Sequence, residues 1–143
     1  MAQAQYTRLS YDLTLAAAQT LARWNPGMTF VYASGAGTDS AEKGSIMWAR
    51  VKGRTENALL RLPFRAVYLF RPGVIQPLHG APSRTGFYRI FYSLLKTVLP
   101  LLRMLMAKLI LTTASVGRAT LAVARSGAGT PLLEASAIAA LGQ

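Results

Sequence analysis

Five residues carry groups from which a site can be assembled: Ser34, Trp48, Lys52, Pro72 and Gly73. Trp48 and Lys52 stand four positions apart, so on a helix they share one face. Lysine brings a cation with three donors. The indole N–H is a donor only, with no proton to exchange near neutral pH. Trp48 can therefore bond a carbonyl or stack on a flat ligand, but it cannot act as acid or base. Ser34 closes an apolar run, where a hydroxyl either meets a ligand or caps the following turn. A hydrolase nucleophile is excluded, because Tyr32 stands where a Gly-x-Ser-x-Gly elbow needs glycine. The chain has no cysteine and a single histidine, His79, which removes thiolate chemistry, disulfides and His-pair metal sites. His79 is read as an incidental loop residue. Asp39, Glu42 and Lys43 are read as a solvated loop.

These positions depend on the elements around them. The sequence predicts a helix over 11–23, apolar on most sides and so largely buried, stopped by Asn25-Pro26-Gly27. Residues 28–34 form an apolar run with β-branched and aromatic members, suited to a strand covered on both faces. A Gly/Ser/Thr/Asp loop over 35–44 leads to a helix over 45–62. There Arg50, Arg54, Asn57 and Arg61 form a polar stripe, and Met47, Val51, Ala58 and Leu62 the apolar side. A second strand over 66–70 ends at Arg71-Pro72-Gly73, and a Pro/Gly loop covers 75–86. A helix over 87–111, kinked at Pro100, is followed by one over 113–125 with Thr113 or Ser115 as cap and Gly127 past its end. A short strand over 132–134 and an Ala-rich helix close the chain. The alternation predicts an α/β fold with a parallel sheet in one domain, 1–143. In such a sheet both long strands end on one edge, and ligands bind beyond the carboxyl ends of strands.

The chain has 143 residues, 16 Lys+Arg and 5 Asp+Glu, for a net charge of +11. With 52% hydrophobic and 15% charged residues it is a folding sequence, not a disordered tail. The most apolar stretch, 87–111, is interrupted by Arg89, Lys96, Arg103 and Lys108, so it is read as a packed amphipathic helix or a weak membrane-surface contact, not a span. No signal-type apolar segment follows Met1, and the expected location is cytoplasmic.

The runs Val31-Tyr32-Ala33-Ser34-Gly35-Ala36-Gly37, Trp48-Ala49-Arg50-Val51-Lys52-Gly53 and Phe70-Arg71-Pro72-Gly73 together resemble the C-terminal part of a short-chain dehydrogenase/reductase. The nearest flavour is the atypical group with epimerase/dehydratase-like and Tat-interacting-protein-like members. The resemblance spans residues 6–133 and implies a Rossmann-like parallel sheet flanked by helices, with NAD or NADP as cofactor. It implies that Ser34 orients a substrate carbonyl, that Lys52 bonds the nicotinamide ribose, and that Pro72 and Gly73 lie against the nicotinamide. Trp48 occupies the position of the catalytic tyrosine. The sequence also lacks the Gly-rich turn that cradles the pyrophosphate, since neither Gly35-Ala36-Gly37 nor Gly127-Ala128-Gly129 has the required pattern and context.

The resemblance thus implies an NAD(P)-binding protein of the oxidoreductase or epimerase type, lacking the N-terminal dinucleotide-phosphate half and with turnover impaired or absent. The alternatives are a non-catalytic regulatory or interaction module, and a basic protein associated with membrane surfaces or nucleic acid. An unpaired edge on the 28–34 strand is expected to favour self-association.

Overall fold

The computed structural model describes residues 3–76 and 110–143. Helix α1 runs over 3–24 in three stretches: Gln3–Thr7, a π-helical turn Arg8–Asp12, and Leu13–Trp24. Strand β1 (Thr29–Ala33), helix α2 (Met47–Leu60) and strand β2 (Ala66–Arg71) follow. Then come β3 (Val74–Gln76), β4 (Ile110–Thr112), α3 (Thr113–Ser126), β5 (Leu132–Glu134) and α4 (Ala135–Leu141).

The strands form a parallel three-stranded sheet in the order β1-β2-β5, flanked by helices. Thr29 pairs with Ala66 and Ala33 with Phe70; Leu69 pairs with Leu132 and Arg71 with Glu134. Because side chains alternate along a strand, β2 serves two cores. Tyr68 and Phe70 join Leu111, Val123, Leu133 and Ile138 beneath α3 and α4. Val67 and Leu69 join Ala18 and Leu59 beneath α1 and α2. Each fully buried Leu, Ile or Phe among these contributes about 1.5–3 kcal/mol by leaving water. The α/β class and the parallel sheet are as the sequence implied, and the carboxyl ends of β1 and β2 lie on one edge.

Several local expectations are corrected. Helix α1 is not largely buried: it touches the core through Ala18 and Ala22, and Leu9, Leu13, Leu21 and Trp24 are exposed. Small residues give a narrow contact strip, and among the described residues the remaining apolar sides are left exposed. In α2 the core residue is Leu59, and of the expected apolar side only Val51 is buried. The start of the 75–86 loop and the end of the 87–111 helix are instead strands: Val74 pairs with Ile110 and Gln76 with Thr112. Residues 77–109, with His79, Pro100 and the basic positions from Arg89 to Lys108, lie outside the described residues.

The cap of α3 is Thr112, one residue before the expected start. Its Oγ1 accepts from the Ser115 N–H at 3.1 Å, and the Ser115 hydroxyl oxygen accepts from the Thr112 N–H at 3.1 Å. This reciprocal cap is worth about 1 kcal/mol. Gly127 ends the helix with φ 73°, a conformation that favours glycine.

Candidate functional site at the carboxyl edge of the sheet

The chain leaving β1 continues to pair with the chain leaving β2. The Ser34 N–H donates to the Phe70 carbonyl at 2.7 Å, and the Ala36 N–H donates to the Pro72 carbonyl at 3.0 Å. This zipper places Ser34 and Pro72 side by side at the sheet edge. Pro72 is buried and Gly73 is exposed at the start of the turn.

Ser34 sits in a local hydroxyl relay. Its Oγ lies 2.9 Å from Thr38 Oγ1, and the Thr38 hydroxyl donates to the Gly35 carbonyl at 2.7 Å. Thr38 has one proton to give, so Ser34 is the donor between the two hydroxyls. In this arrangement Ser34 offers lone pairs outward, and it must leave Thr38 before it can donate to a carbonyl.

Helix α2 brings Lys52 to the same place. Its Nζ donates to the Ser34 carbonyl at 3.2 Å and lies 5.3 Å from the centroid of the Tyr32 ring. Burial holds the ammonium below the usual lysine value, while the negative charge of Glu56, one turn further along, pulls it back up. Lys52 is half-buried and oriented, not a freely solvated surface cation. The Tyr32 phenol is pushed above its ordinary value, mainly by burial and further by Tyr6 and Glu56, with Thr55 opposing. It is therefore a poor source of phenolate near neutrality.

One turn before Lys52, Trp48 is exposed at the edge. Its ring reaches within 3.6 Å of the position that a Cβ on Gly37 would take, and Gly37 has φ 83°. The indole thus lies beside the loop that carries Ser34. The structure brings Ser34, Lys52, Pro72 and Trp48 to one edge, with Gly73 following directly.

The loop over 35–44 is held by groups that sequence reading left aside. Asp39 lies on a solvated loop, as expected, and also orders it. Its carboxylate accepts from the Gly44 N–H at 2.6 Å and the Ala41 N–H at 3.0 Å, which holds it below the usual carboxylate range, the Gly44 bond contributing most. The Asp39 N–H donates to the Ala49 carbonyl at 3.1 Å. A Cβ on Gly53 would collide with the Asp39 carbonyl oxygen, so glycine is what lets loop and helix approach. Glu42, exposed on this loop as expected, accepts from Asn57 Nδ2 at 2.8 Å.

Beneath the loop, Arg71 on β2 is the hub. Its Nε donates to Glu56 Oε1 at 3.0 Å and its Nη2 to Glu56 Oε2, forming a fork. Nη2 also donates to Ser40 Oγ at 2.6 Å, and Nη1 to Glu134 at 3.5 Å. Glu56 and Arg71 are both buried, and among the described residues no buried side-chain polar atom lacks a partner. One guanidinium thereby links α2, the 35–44 loop, β2 and β5. A charged residue ending an apolar strand was the available signal; that Glu56 and Glu134 receive it depends on how α2 and β5 meet β2.

Cavities among the described residues lie elsewhere. One of about 260 Å³ is lined by Leu60, Phe64, Ala66 and Pro131 at the amino ends of β2 and β5. Another, of about 480 Å³, lies between α1 and Leu62-Pro63. Among the described residues no cluster of His, Cys, Asp and Glu could hold a metal ion, and no helix is long and apolar enough to cross a membrane. Compared with known families and with curated proteins, the sequence matches no family model and no curated protein.

Proposed function

We propose that this chain forms the substrate side of an NAD(P)-binding, Rossmann-like domain of the short-chain dehydrogenase class. Its ligand would sit over the carboxyl ends of β1 and β2. The observation that carries the reading is Lys52: an oriented, half-buried cation at the end of β1, one turn from an exposed indole and beside the Ser34 hydroxyl. The residues fit the nicotinamide–ribose portion of such a cofactor. Lys52 spends one N–H on Ser34 and keeps two for ribose hydroxyls, and Pro72 with Gly73 supplies a turn without bulky side chains. They do not supply a pyrophosphate cradle, since in the Gly35-Ala36-Gly37 turn the Ala36 N–H is committed to Pro72. The cofactor, when bound, supplies the hydride chemistry. In this reading Lys52 binds and orients, Ser34 accepts from a ligand hydroxyl in its present state, and Trp48 covers the ligand and donates one hydrogen bond.

Trp48 also favours the alternative that the site binds without turnover, as a regulatory or interaction module would, because indole cannot deliver a proton. Titration with NADH and NADPH, followed by quenching of tryptophan emission, tests the reading. Saturable binding that weakens roughly tenfold in Lys52→Met is expected, the loss of one charge-assisted contact. Absence of binding at about millimolar cofactor, a level at which even weak sites fill, overturns it. Hydride transfer that appears only in Trp48→Tyr would identify the missing proton donor as what silences the site. The proposed compartment is the cytoplasm. Self-association through β1 is part of the proposal, since among the described residues β1 pairs only with β2; a monodisperse, cooperatively unfolding monomer in solution would remove it.

A further inference from the structure

Helices α1 and α2 cover the same side of the sheet, and both carry outward faces that the proposed ligand site does not use. On α1, Ala18 and Ala22 face the core, while Leu9, Leu13 and Trp24 are exposed, Trp24 by 83%. On α2, Arg50, Arg54 and Arg61 are spaced on the side opposite the buried Leu59. Arg54 lies over the Tyr11 ring at 4.3 Å, on the side of α1 that also carries Ala18, so this contact ties the two helices together while the apolar ridge faces away from it.

The positive charge on this face is compensated only in part. Among the described residues Arg71 alone makes ion pairs, and it takes both Glu56 and Glu134. Asp39 is committed to backbone amides, and Glu42, which accepts from Asn57, brings one carboxylate to the arginine stripe. Of the 5 Asp and Glu residues, Asp12 is the second on this side, exposed on α1. A second copy packed on this face would set arginine stripe against arginine stripe with only Glu42 and Asp12 to offset them. A nucleic acid would satisfy the arginines but offer the leucines nothing. An anionic lipid surface supplies phosphates for the guanidiniums and, a few ångströms deeper, hydrocarbon for Leu9, Leu13 and Trp24.

We propose that the outer face of α1 and α2 docks the protein on anionic lipid, with the α1 ridge entering the headgroup layer and the α2 arginines pairing with lipid phosphates. The proposal is independent of the ligand reading. It also places the contact on helices other than the 87–111 segment, which lies outside the described residues.

The test uses the full chain carrying Trp48→Phe, which leaves Trp24 as the only tryptophan. Phosphatidylcholine vesicles with and without about a quarter phosphatidylglycerol are the probe. The expected result is co-sedimentation and a blue shift of Trp24 emission on the anionic vesicles. Binding should be at least roughly tenfold weaker on pure phosphatidylcholine, and lost at about 0.5 M salt, where charges are screened. Leu13→Ser and the pair Arg54→Glu with Arg61→Glu should each weaken it by a comparable factor with unchanged circular dichroism. Leu13→Ser alters an exposed position, so it reports on docking even if the charge reversals disturb folding. Equal binding to both vesicle types, binding unchanged in these variants, retention by duplex DNA but not by vesicles, or a dimer that Leu13→Ser dissociates would each overturn the proposal.

Discussion

The two faces of the sheet use burial in opposite ways. Under α3 and α4, Tyr68, Phe70, Leu111, Val123, Leu133 and Ile138 form a contiguous apolar cluster, and its one phenol is satisfied by the Ala128 N–H at 2.9 Å. Under α1 and α2 the apolar cluster is Ala18, Leu59, Val67 and Leu69, and toward the carboxyl edge the interior becomes Thr55, Glu56 and Arg71. One strand feeds both sides, alternating residue by residue. The first face is organised for stability. The second gives up apolar contact to hold a loop and a helix in register where Ser34 and Lys52 meet. A buried ion pair is a costly way to gain stability, since desolvation offsets most of the attraction. Its use here fits positioning better than cohesion.

The largest expected effect falls on the apolar face. Phe70→Ala should cost about 3–5 kcal/mol in chemical denaturation, the usual loss for a large buried aromatic. Ligand affinity of the fraction that stays folded should be unchanged. If affinity falls in parallel, the two faces are not separable.

Glu56→Ala should cost about 3–5 kcal/mol by leaving the Arg71 guanidinium buried without its main partner. The double change Glu56→Leu with Arg71→Met should recover much of that stability, yet hydrogen exchange over 35–44 should stay fast. Slow exchange in the double variant would refute the positioning role.

Gly53→Ala should cost about 1–3 kcal/mol, because the added methyl drives the Asp39 carbonyl away from α2. It should also weaken ligand binding, which separates it from a simple helix-propensity gain, where glycine to alanine is stabilising. An unchanged or higher melting temperature would show that the loop yields freely.

Smaller effects are read through pH. Lys52 is held below the usual lysine value, so between its depressed value and the ordinary one the unfolded chain binds more protons than the folded chain. Its contribution to stability therefore rises with pH through that window, and Lys52→Met should flatten the rise. Asp39 behaves in the opposite range. Its lowered value makes its contribution full above the ordinary carboxylate value and lost as pH falls through the depressed one. Acid should loosen the 35–44 loop before the Phe70 core, seen as early exchange of the Gly44 amide. Asp39→Asn should remove that acid step, and simultaneous loss of loop and core would contradict the division between the faces.

Much of the fold is legible in the chain because local chemistry dictates it. Residues 28–34 and 66–70 are strand-length apolar runs closed by turn residues, and they appear as β1 and β2. The four-residue step from Trp48 to Lys52 gives a shared helix face whatever the surroundings. Gly127 and the threonine and serine near 112–115 mark the ends of α3 to within a residue. The carboxyl-edge site follows from these pieces once the strands are parallel.

Other features had no local signature. Whether α1 is buried depends on what packs against it, and an apolar helix of small and large residues looks alike in either case. Residues 110–112 read as the end of a helix by hydropathy, but backbone pairing with Val74–Gln76 makes them a strand. Arg71 meets Glu56 at a separation of 15 residues and Glu134 at 63, distances over which sequence carries no register. The direction of the Ser34 proton is set by Thr38, whose own proton is taken by Gly35. Periodicity and turn chemistry act over a few residues, so the sequence by itself determined β1, β2, α2 and α3 and the edge where they deliver Ser34, Lys52 and Trp48. Burial, charge pairing and proton direction arise from contacts between distant segments, and only the tertiary structure decided those.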